Sequence, residues 1–349
     1  MPGSIEIPGF SLKVNGAALL DNLAWQITRI TVDDQVELPS MFTLELAATD
    51  ETDAEPDWLN KDTIFALGDQ VEIKMGWGDS LQTIMIGEIT LVEVEYLAAS
   101  LPQLVVRGYD RRHRLQRGNK TRTFVKMKDS DIASKIGAEL GISVNSKDSN
   151  ITHEYLIQTN QTDFAFLQAR ARLLHYELVM QNNRLYFQPA SYQKTAILEL
   201  TIKNELNEFR AQLSTAGQVS QAKALGWSMK EKKAIIATAT STVSMGGNKC
   251  GPDLAKKTFG PSSSLITNIP ISDKAYAQQL ADAALAVSAL GLVRGEGQCE
   301  GNPKIKAGEV IMIKGVGNRF SGNYYITAVT HTYGSEGYAT QFTGWRNTT

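Results

Sequence analysis

Two stretches of this chain, about 240 residues apart, follow one pattern. Gly68-Asp69, Val71, Ile73, Lys74 and Gly76-Trp77-Gly78-Asp79 are answered by Gly308-Glu309, Ile311, Ile313, Lys314 and Gly315-Val316-Gly317-Asn318. The echo continues in Ile89-Thr90, Val92 and Tyr96 against Ile326-Thr327, Val329 and Tyr333, and in Arg107-Gly108-Tyr109 against Thr343-Gly344-Trp345. The offset falls only from 240 at Gly68 and Gly308 to 236 at Tyr109 and Trp345. That drift is expected when a turn changes length while strands keep register. A unit this long, present twice, is no solenoid repeat but a duplicated β-module. Two modules per chain allow three chains to place six copies round one axis.

With 349 residues the chain has material for two or three domains with real cores. Its net charge of −2 gives no global field that would mark a nucleic-acid or membrane-surface protein. The opening residues lack the basic and apolar regions of a secretory signal, which fits synthesis in the cytoplasm. The longest apolar run, near 283–293, falls short of the roughly 20 residues needed to span a bilayer, so no membrane insertion is expected. Cys250 and Cys299, the only cysteines, lack metal-ligand spacing and fit a reducing compartment.

Charge is locally uneven. Residues 33–62 hold ten acids against Lys61 alone, and residues 107–128 hold nine bases against Asp110 alone. Blocks of opposite sign suit partner surfaces. Asp33 and Asp34 on one side, and Arg107, Arg111, Arg112 and Arg114 on the other, are therefore candidate subunit or partner interface residues. The acidic block of one subunit would meet the basic block of the next.

Apolar and polar residues alternate at period two from Ile5 to about Leu115, most clearly in Val71-Glu72-Ile73-Lys74-Met75, as strands with one buried face require. The acidic stretch 49–62 reads as a surface excursion between strands. From 116 to 189 the period changes. Ser130 is placed to cap a helix through Leu140 with Gly141 as its left-handed stop, and Thr162 to cap a helix over 163–174. Residues 176–180 and 184–188 around Gln181-Asn182-Asn183 read as a hairpin. The β pattern returns at 196. A Gly/Ser/Pro-rich loop, 244–264, and a helix capped by Ser272 and stopped at Gly291 interrupt it. The expected fold class is mainly β with an α+β insert: two related barrel-like β domains flanking a small α/β module. The expected divisions are 1–115, 116–190 and 191–349, the last carrying the 244–264 loop and the 272–290 helix as an insertion.

Residues that could carry chemistry do not form recognisable sites. His113, His153, His175 and His331 are scattered without metal-ligand spacing, so no metal is expected. His331 stands where the first copy has Val94 and reads as a buried, hydrogen-bonded histidine. His175 follows a helix and could favour its C-terminal dipole. Glu88, Glu93 and Glu95 lie on strands, the last two on one wet face, rather than as a catalytic pair. The runs at Gly76-Trp77-Gly78 and Gly315-Val316-Gly317 lack phosphate-loop spacing and precede no helix. With Gly108 and Gly344 they read as structural glycines of the repeat turns. Arg111-Arg112-His113-Arg114 lacks interleaved aromatics, so nucleic-acid binding is not expected. No catalytic, cofactor-binding or metal residues are assigned.

Longer phrases resemble the baseplate hub of contractile tails: the phage late control protein D family and the hub-like N-terminal part of valine–glycine-repeat spike proteins of type VI secretion. The phrases are Val14-Asn15-Gly16, Val32-Asp33-Asp34, Pro39-Ser40-Met41-Phe42, Gly68-Asp69 with Val71, and Gly108 to Leu115. Further on come Gln158 to Leu167, Gly295-Glu296-Gly297, Gly301 to Gly308, and Gly322-Asn323-Tyr324-Tyr325-Ile326-Thr327 with Val329 and His331. The resemblance spans nearly the whole chain. It implies a homotrimer whose alternating barrels form a pseudo-sixfold ring, joining a hexameric tail tube protein to a trimeric spike, with other baseplate proteins around it. It implies a structural protein without cofactor, assembled into a phage tail or contractile injection particle. Thr349 follows Trp345 closely, so an oligonucleotide/oligosaccharide-fold domain and needle are expected on a separate spike protein. The alternatives are a tail-borne cell-wall hydrolase, which needs paired acids in a cleft, and a carbohydrate-binding adhesin using loop aromatics.

Overall fold

The computed structural model describes residues 7–48, 58, 64–96, 101–247 and 249–349. Apart from Trp58, the acidic excursion expected at 49–62 lies outside the described residues. The first strands are β1 (Pro8–Val14), β2 (Ala17–Ala18), β3 (Ile27–Gln35), β4 (Met41–Ala47), β5 (Gln70–Trp77), β6 (Ser80–Glu95) and β7 (Gln103–Tyr109), with a short helix α1 (Asp21–Ala24). A 3₁₀ turn, Arg111–Gln116, leads to β8 (Lys120–Lys128), α2 (Asp129–Glu139), β9 (Val144–Ser146), β10 (Thr152–Gln161), α3 (Asp163–Leu174), β11 (Tyr176–Gln181) and β12 (Arg184–Pro189). Then come β13 (Glu199–Thr201), β14 (Leu206–Leu213), β15 (Gln221–Ser228), β16 (Lys233–Ala239), α4 (Gly251–Phe259), β17 (Ser263–Ile266) and α5 (Lys274–Leu290). The last strands are β18 (Val293–Glu300), β19 (Val310–Lys314), β20 (Gly322–Gly334) and β21 (Gly337–Arg346). The chain is mainly β, with large antiparallel sheets.

The duplicated text folds into duplicated structure. The first module runs β3-β4-β7-β6-β5-β1 and the second β14-β18-β21-β20-β19-β13. Ile89 faces Gly108 in one, and Ile326 faces Gly344 in the other. Both long strands then slip register by one residue, at Thr90 and at Thr327, so the β-bulge is duplicated too. The Gly68 N–H donates to the Ile89 carbonyl at 2.8 Å and the Gly308 N–H to the Ile326 carbonyl at 2.8 Å. Both glycines have positive φ (93° and 85°), which a glycine tolerates at no steric cost. The copies part at their last strand: β1 pairs β5 antiparallel, whereas β13 pairs β19 parallel.

Local signals explain most elements. Thr162 caps α3 by accepting the Ala165 N–H at 3.1 Å. The β11–β12 turn is Asn182-Asn183, both at positive φ (47° and 63°), as a two-residue hairpin loop requires. Three expectations shift. The helix expected from Ser130 starts at Asp129, with Lys128 in the cap position, because the Ser130 side chain is buried against Ser149. Asp273 rather than Ser272 caps α5, accepting the Tyr276 N–H at 2.8 Å. The 244–264 loop contains α4 and the start of β17, since Pro252 in the first turn favours a helix there.

Among the described residues three larger cores hold these elements, and a smaller fourth gathers Val36, Val179, Tyr192, Val310 and Tyr325. Ile30, Val32, Phe42, Leu44, Ile73, Met75 and Val106 pack inside the first module, joined by Tyr338 from the second. Leu206, Val293, Ile311, Ile313, Tyr324, Ile326 and Phe342 fill the second. The middle core starts at Leu115 and takes in Phe124, Ile132, Leu167 and Phe187, then continues with Ala222, Ala224, Ile235, Ala237, Tyr276, Leu280 and Leu285. The sequence boundary at 190 therefore does not enclose one core. β15, β16, β17 and α5, expected inside the second barrel domain, bury their apolar side against the middle module instead. Small alanines on β15 and β16 let α5 approach that sheet closely. Truncating Leu280 there would cost about 2–5 kcal/mol.

Candidate interface: the seam between the two modules

β20 is shared by the two modules. One edge pairs β21 from Tyr325 to Gly334. The other edge pairs β19 at its start and β3 at its end, with Ala328 opposite Gln35, His331 opposite Val32 and Tyr333 opposite Ile30. One antiparallel sheet consequently crosses the whole chain from β14 to β6. Side chains alternate across it, so one face feeds the cores and the other is polar. On the polar face Arg210 lies opposite Glu296, Glu296 opposite Thr343, Thr330 opposite Asp33, and Thr43 opposite Arg107. Thr330 donates to Asp33 at 2.6 Å. Arg107 is exposed there and lies 4.0 Å from Glu93.

Beneath the seam is a buried polar network. Arg112 is 1% exposed and forks onto the Asp110 carboxylate, with its Nη2 2.6 Å away. Its remaining donors reach the Leu178 carbonyl at 3.0 Å and the Ser40 hydroxyl at 2.9 Å. Ser40 in turn donates to Asp34 at 2.7 Å, and Asp34 accepts the Ala307 N–H at 3.0 Å. The network thereby ties β3, the 3₁₀ turn, the middle module and the second module together. Burial pushes the Asp34 carboxyl above its ordinary range, against the Ser40 hydrogen bond and the Arg112 charge that favour its ionised form. Arg112 and Asp34, expected on a subunit interface, are thus used inside the chain, because each is the other's partner through Ser40.

The neighbouring bases are also held within the chain. Glu88, buried on β6, accepts from Arg111 Nε at 3.0 Å, from Arg114 Nε at 2.8 Å and from His113 Nε2 at 2.9 Å. Burial alone would raise its carboxyl, but the hydrogen bonds from Arg114 and His113 outweigh it and hold the group below the ordinary range. The basic cluster is largely a clamp on one carboxylate. Sequence reading places Glu88 on a strand but not among these bases, because nothing local shows which side chains meet it across the fold.

Across the seam, Trp77 Nε1 donates to the Gly301 carbonyl at 2.7 Å, Lys306 Nζ donates to the Thr83 carbonyl at 2.9 Å, and Phe10 packs edge-on against Tyr333 with ring centroids 4.9 Å apart. His331 is buried and its Nε2 faces the Ile305 carbonyl at 3.0 Å, which fixes the proton on that nitrogen. Its Nδ1 accepts from Tyr338 at 2.9 Å, and burial pushes its pKa down to about 4. His175 ends α3 at a left-handed φ of 53°, and burial pushes it down to about 4 as well. A neutral ring gains little from a helix dipole, so the expected dipole role does not operate. Behind the seam a cavity of about 480 Å³ is lined by Gln168, Glu177, Tyr325 and Trp345, and burial pushes Glu177 up to about 8.

The repeat glycines sit at turns and close approaches. Gly78, Gly315 and Gly317 have positive φ (52°, 78° and 79°). Gly76 faces the Ser80 carbonyl, Gly108 faces the Glu88 carbonyl and the Phe42 ring, and Gly344 faces Tyr324. Among the described residues no histidine, cysteine or carboxylate cluster could hold a metal ion, and no helix is long and apolar enough to cross a membrane.

The same fold occurs in tail proteins. The 43 kDa tail protein of prophage MuSo2 from Shewanella oneidensis is similar with a TM-score of 0.73 at 14% identity, covering 97% of this chain and 98% of that one. A tail protein from Neisseria meningitidis MC58 gives 0.71 at 13% identity, covering 97% of each chain. A component of the Escherichia coli type VI secretion system, described as structurally similar to bacteriophage T4 tail proteins, gives 0.60 at 14% identity, covering 96% of this chain and 76% of that one. No curated protein matches the sequence. The model of a family described as the Alg8 N-terminal domain matches residues 4–335.

Proposed function

We propose a structural hub function for this chain, which belongs to the Alg8 N-terminal domain family. Three copies form a ring in which six like modules alternate, and the ring joins a hexameric tail tube to a trimeric spike within a tail or injection particle. The observation that carries this reading is the duplicated six-strand module, with its register and bulge kept and its copies fused into one sheet by β3 and β20. An interface that repeats between unlike ends of a subunit closes into a ring when its rotation permits. The shared fold with phage tail proteins and a type VI secretion component supports the setting.

Catalysis is not part of this reading. Glu88 and Asp129, two buried carboxylates, are each held below the ordinary carboxylate range by arginine and histidine and are poor proton donors. The differences between copies fall where sixfold equivalence must break: Trp77 stands for Val316 and reaches the second module, and His331 stands for Val94. Threefold partners such as a spike can use that break. The test is co-purification of the chain with candidate tube and spike proteins. Binding to both, on opposite faces, is expected, and binding to neither contradicts the proposal.

A further inference from the structure

Equivalent residues of the two copies differ sharply in exposure. Val329 and His331 on β20 are each 1% exposed, while their counterparts Val92 and Val94 on β6 are 41% and 36% exposed. Tyr333 packs against Phe10, whereas its counterpart Tyr96 is 60% exposed. The cause is β3, which covers that edge of β20. β6 beyond Glu88 has β7 on one edge and, among the described residues, no strand on the other. In the second module the strand equivalent to β3 is β14. It pairs β18 on one edge and, beyond an isolated bridge at Leu206, has no described strand on the other.

The equivalence holds residue by residue. β3 shifts register between Ile27 and Arg29, and β14 does so between Leu206 and Glu208. Ile30 reaches Val106 through Leu44, as Phe209 reaches Phe342 through Gly297. Because Val106 and Phe342 stand two residues before Gly108 and Gly344 in the same alignment, Ile30 corresponds to Phe209 and Asp34 to Leu213.

We propose that the 91–96 edge of one copy receives β14 of a second copy, in the antiparallel register that β3 adopts on β20. This rests on the hub reading and names its subunit contact. Carrying the seam register across places Val92 opposite Leu213, Val94 opposite Ala211, Glu95 opposite Arg210 and Tyr96 opposite Phe209. The resulting pairs match in chemistry: aliphatic with aliphatic, aromatic with aromatic, and a carboxylate with a guanidinium. Such cross-strand pairs are what stabilise an antiparallel edge. A slip of one residue would turn the apolar set to the wet face. The intrachain seam and the interchain contact then become two versions of one junction, and the polar face of the sheet continues from copy to copy.

The test is a disulfide trap in the full chain with Cys250→Ser and Cys299→Ala. Adding Val94→Cys and Ala211→Cys is expected to give covalent dimers and trimers on oxidation, about tenfold above either single variant or the register control Val94→Cys with Gln212→Cys. Glu95→Arg or Arg210→Glu alone weakens assembly by about fivefold, and the two together restore it. A trimer by mass that neither cross-links at 94 and 211 nor responds to either charge reversal overturns this strand pairing and leaves the hub reading standing. A chain that stays monomeric at every concentration and binds no tube protein overturns both.

Discussion

Arg112 and Asp110 meet at 2.6 Å with almost no access to solvent, their side chains being 1% and 4% exposed. Asp110 also accepts the Ser40 N–H at 2.8 Å, so the pair holds the β3–β4 connection as well. Removing one partner leaves a buried charge uncompensated. Arg112→Ala should destabilise the chain by about 3–5 kcal/mol. Arg112→Lys should recover little of that, because a single ammonium cannot serve Asp110, Ser40 and the Leu178 carbonyl together. Denaturant unfolding of the three proteins checks both statements.

Glu177 and His331 should give stability two opposing pH dependences. Glu177 rises from 4.5 to about 8 on folding, so the folded state holds its proton more tightly and stability falls as pH climbs between those values. His331 drops from 6.5 to about 4, so the unfolded state binds the proton and stability rises with pH over that window. His175 drops likewise to about 4 and adds to the rise. Wild-type stability should therefore rise between 4.5 and 6.5, where two histidines outweigh one glutamate, and decline above it. Glu177→Gln should leave a rising limb below 6.5 and remove the decline, a gain on the order of a few kcal/mol at pH 8. Thermal melts of both proteins across this range decide it.

Gly108 and Gly344 occupy the same place in the repeat but differ in tolerance. A Cβ on Gly108 would run into the Glu88 carbonyl and the Phe42 ring, whereas one on Gly344 would come 3.0 Å from the Tyr324 Cβ and 3.2 Å from Ile326 Cδ1. Backbone cannot yield as a side chain can. Gly108→Ala should cost about 2–3 kcal/mol and Gly344→Ala about 1 kcal/mol. Equal losses in denaturant unfolding would contradict the argument.

Glu88→Gln should loosen the basic cluster. Arg111, His113 and Arg114 would lose the one carboxylate they share, at a cost of about 1–3 kcal/mol. Freed of it, that surface should bind polyanions more strongly. Retention on a heparin column at low salt should increase for the variant, and unchanged retention would show that the arginines are satisfied elsewhere.

The repeat was readable from sequence because turn glycines and strand alternation are local signals. Gly68 and Gly308, Thr90 and Thr327, and Gly108 and Gly344 all land at matching places in the two copies. The caps at Thr162 and the Asn182-Asn183 turn were legible for the same reason. The seam was not, since the pairing of β3 with β20 joins residues almost 300 positions apart, such as Thr330 and Asp33, and leaves no local trace. The charge blocks misled for a related reason. A count of arginines does not show that Asp110 and Glu88 take up three of them. The 221–290 region packs on the middle core through alanines and one helix, a choice made by tertiary contact rather than by pattern.

The central claim is that a chain with two like modules builds a ring of three. Native mass spectrometry of the purified chain, over a range of concentrations and at low and physiological salt, tests it most directly. The account predicts a species of three copies, 114.9 kDa from a 38.3 kDa chain. A protein that remains a single copy throughout, or that settles at two, would contradict it.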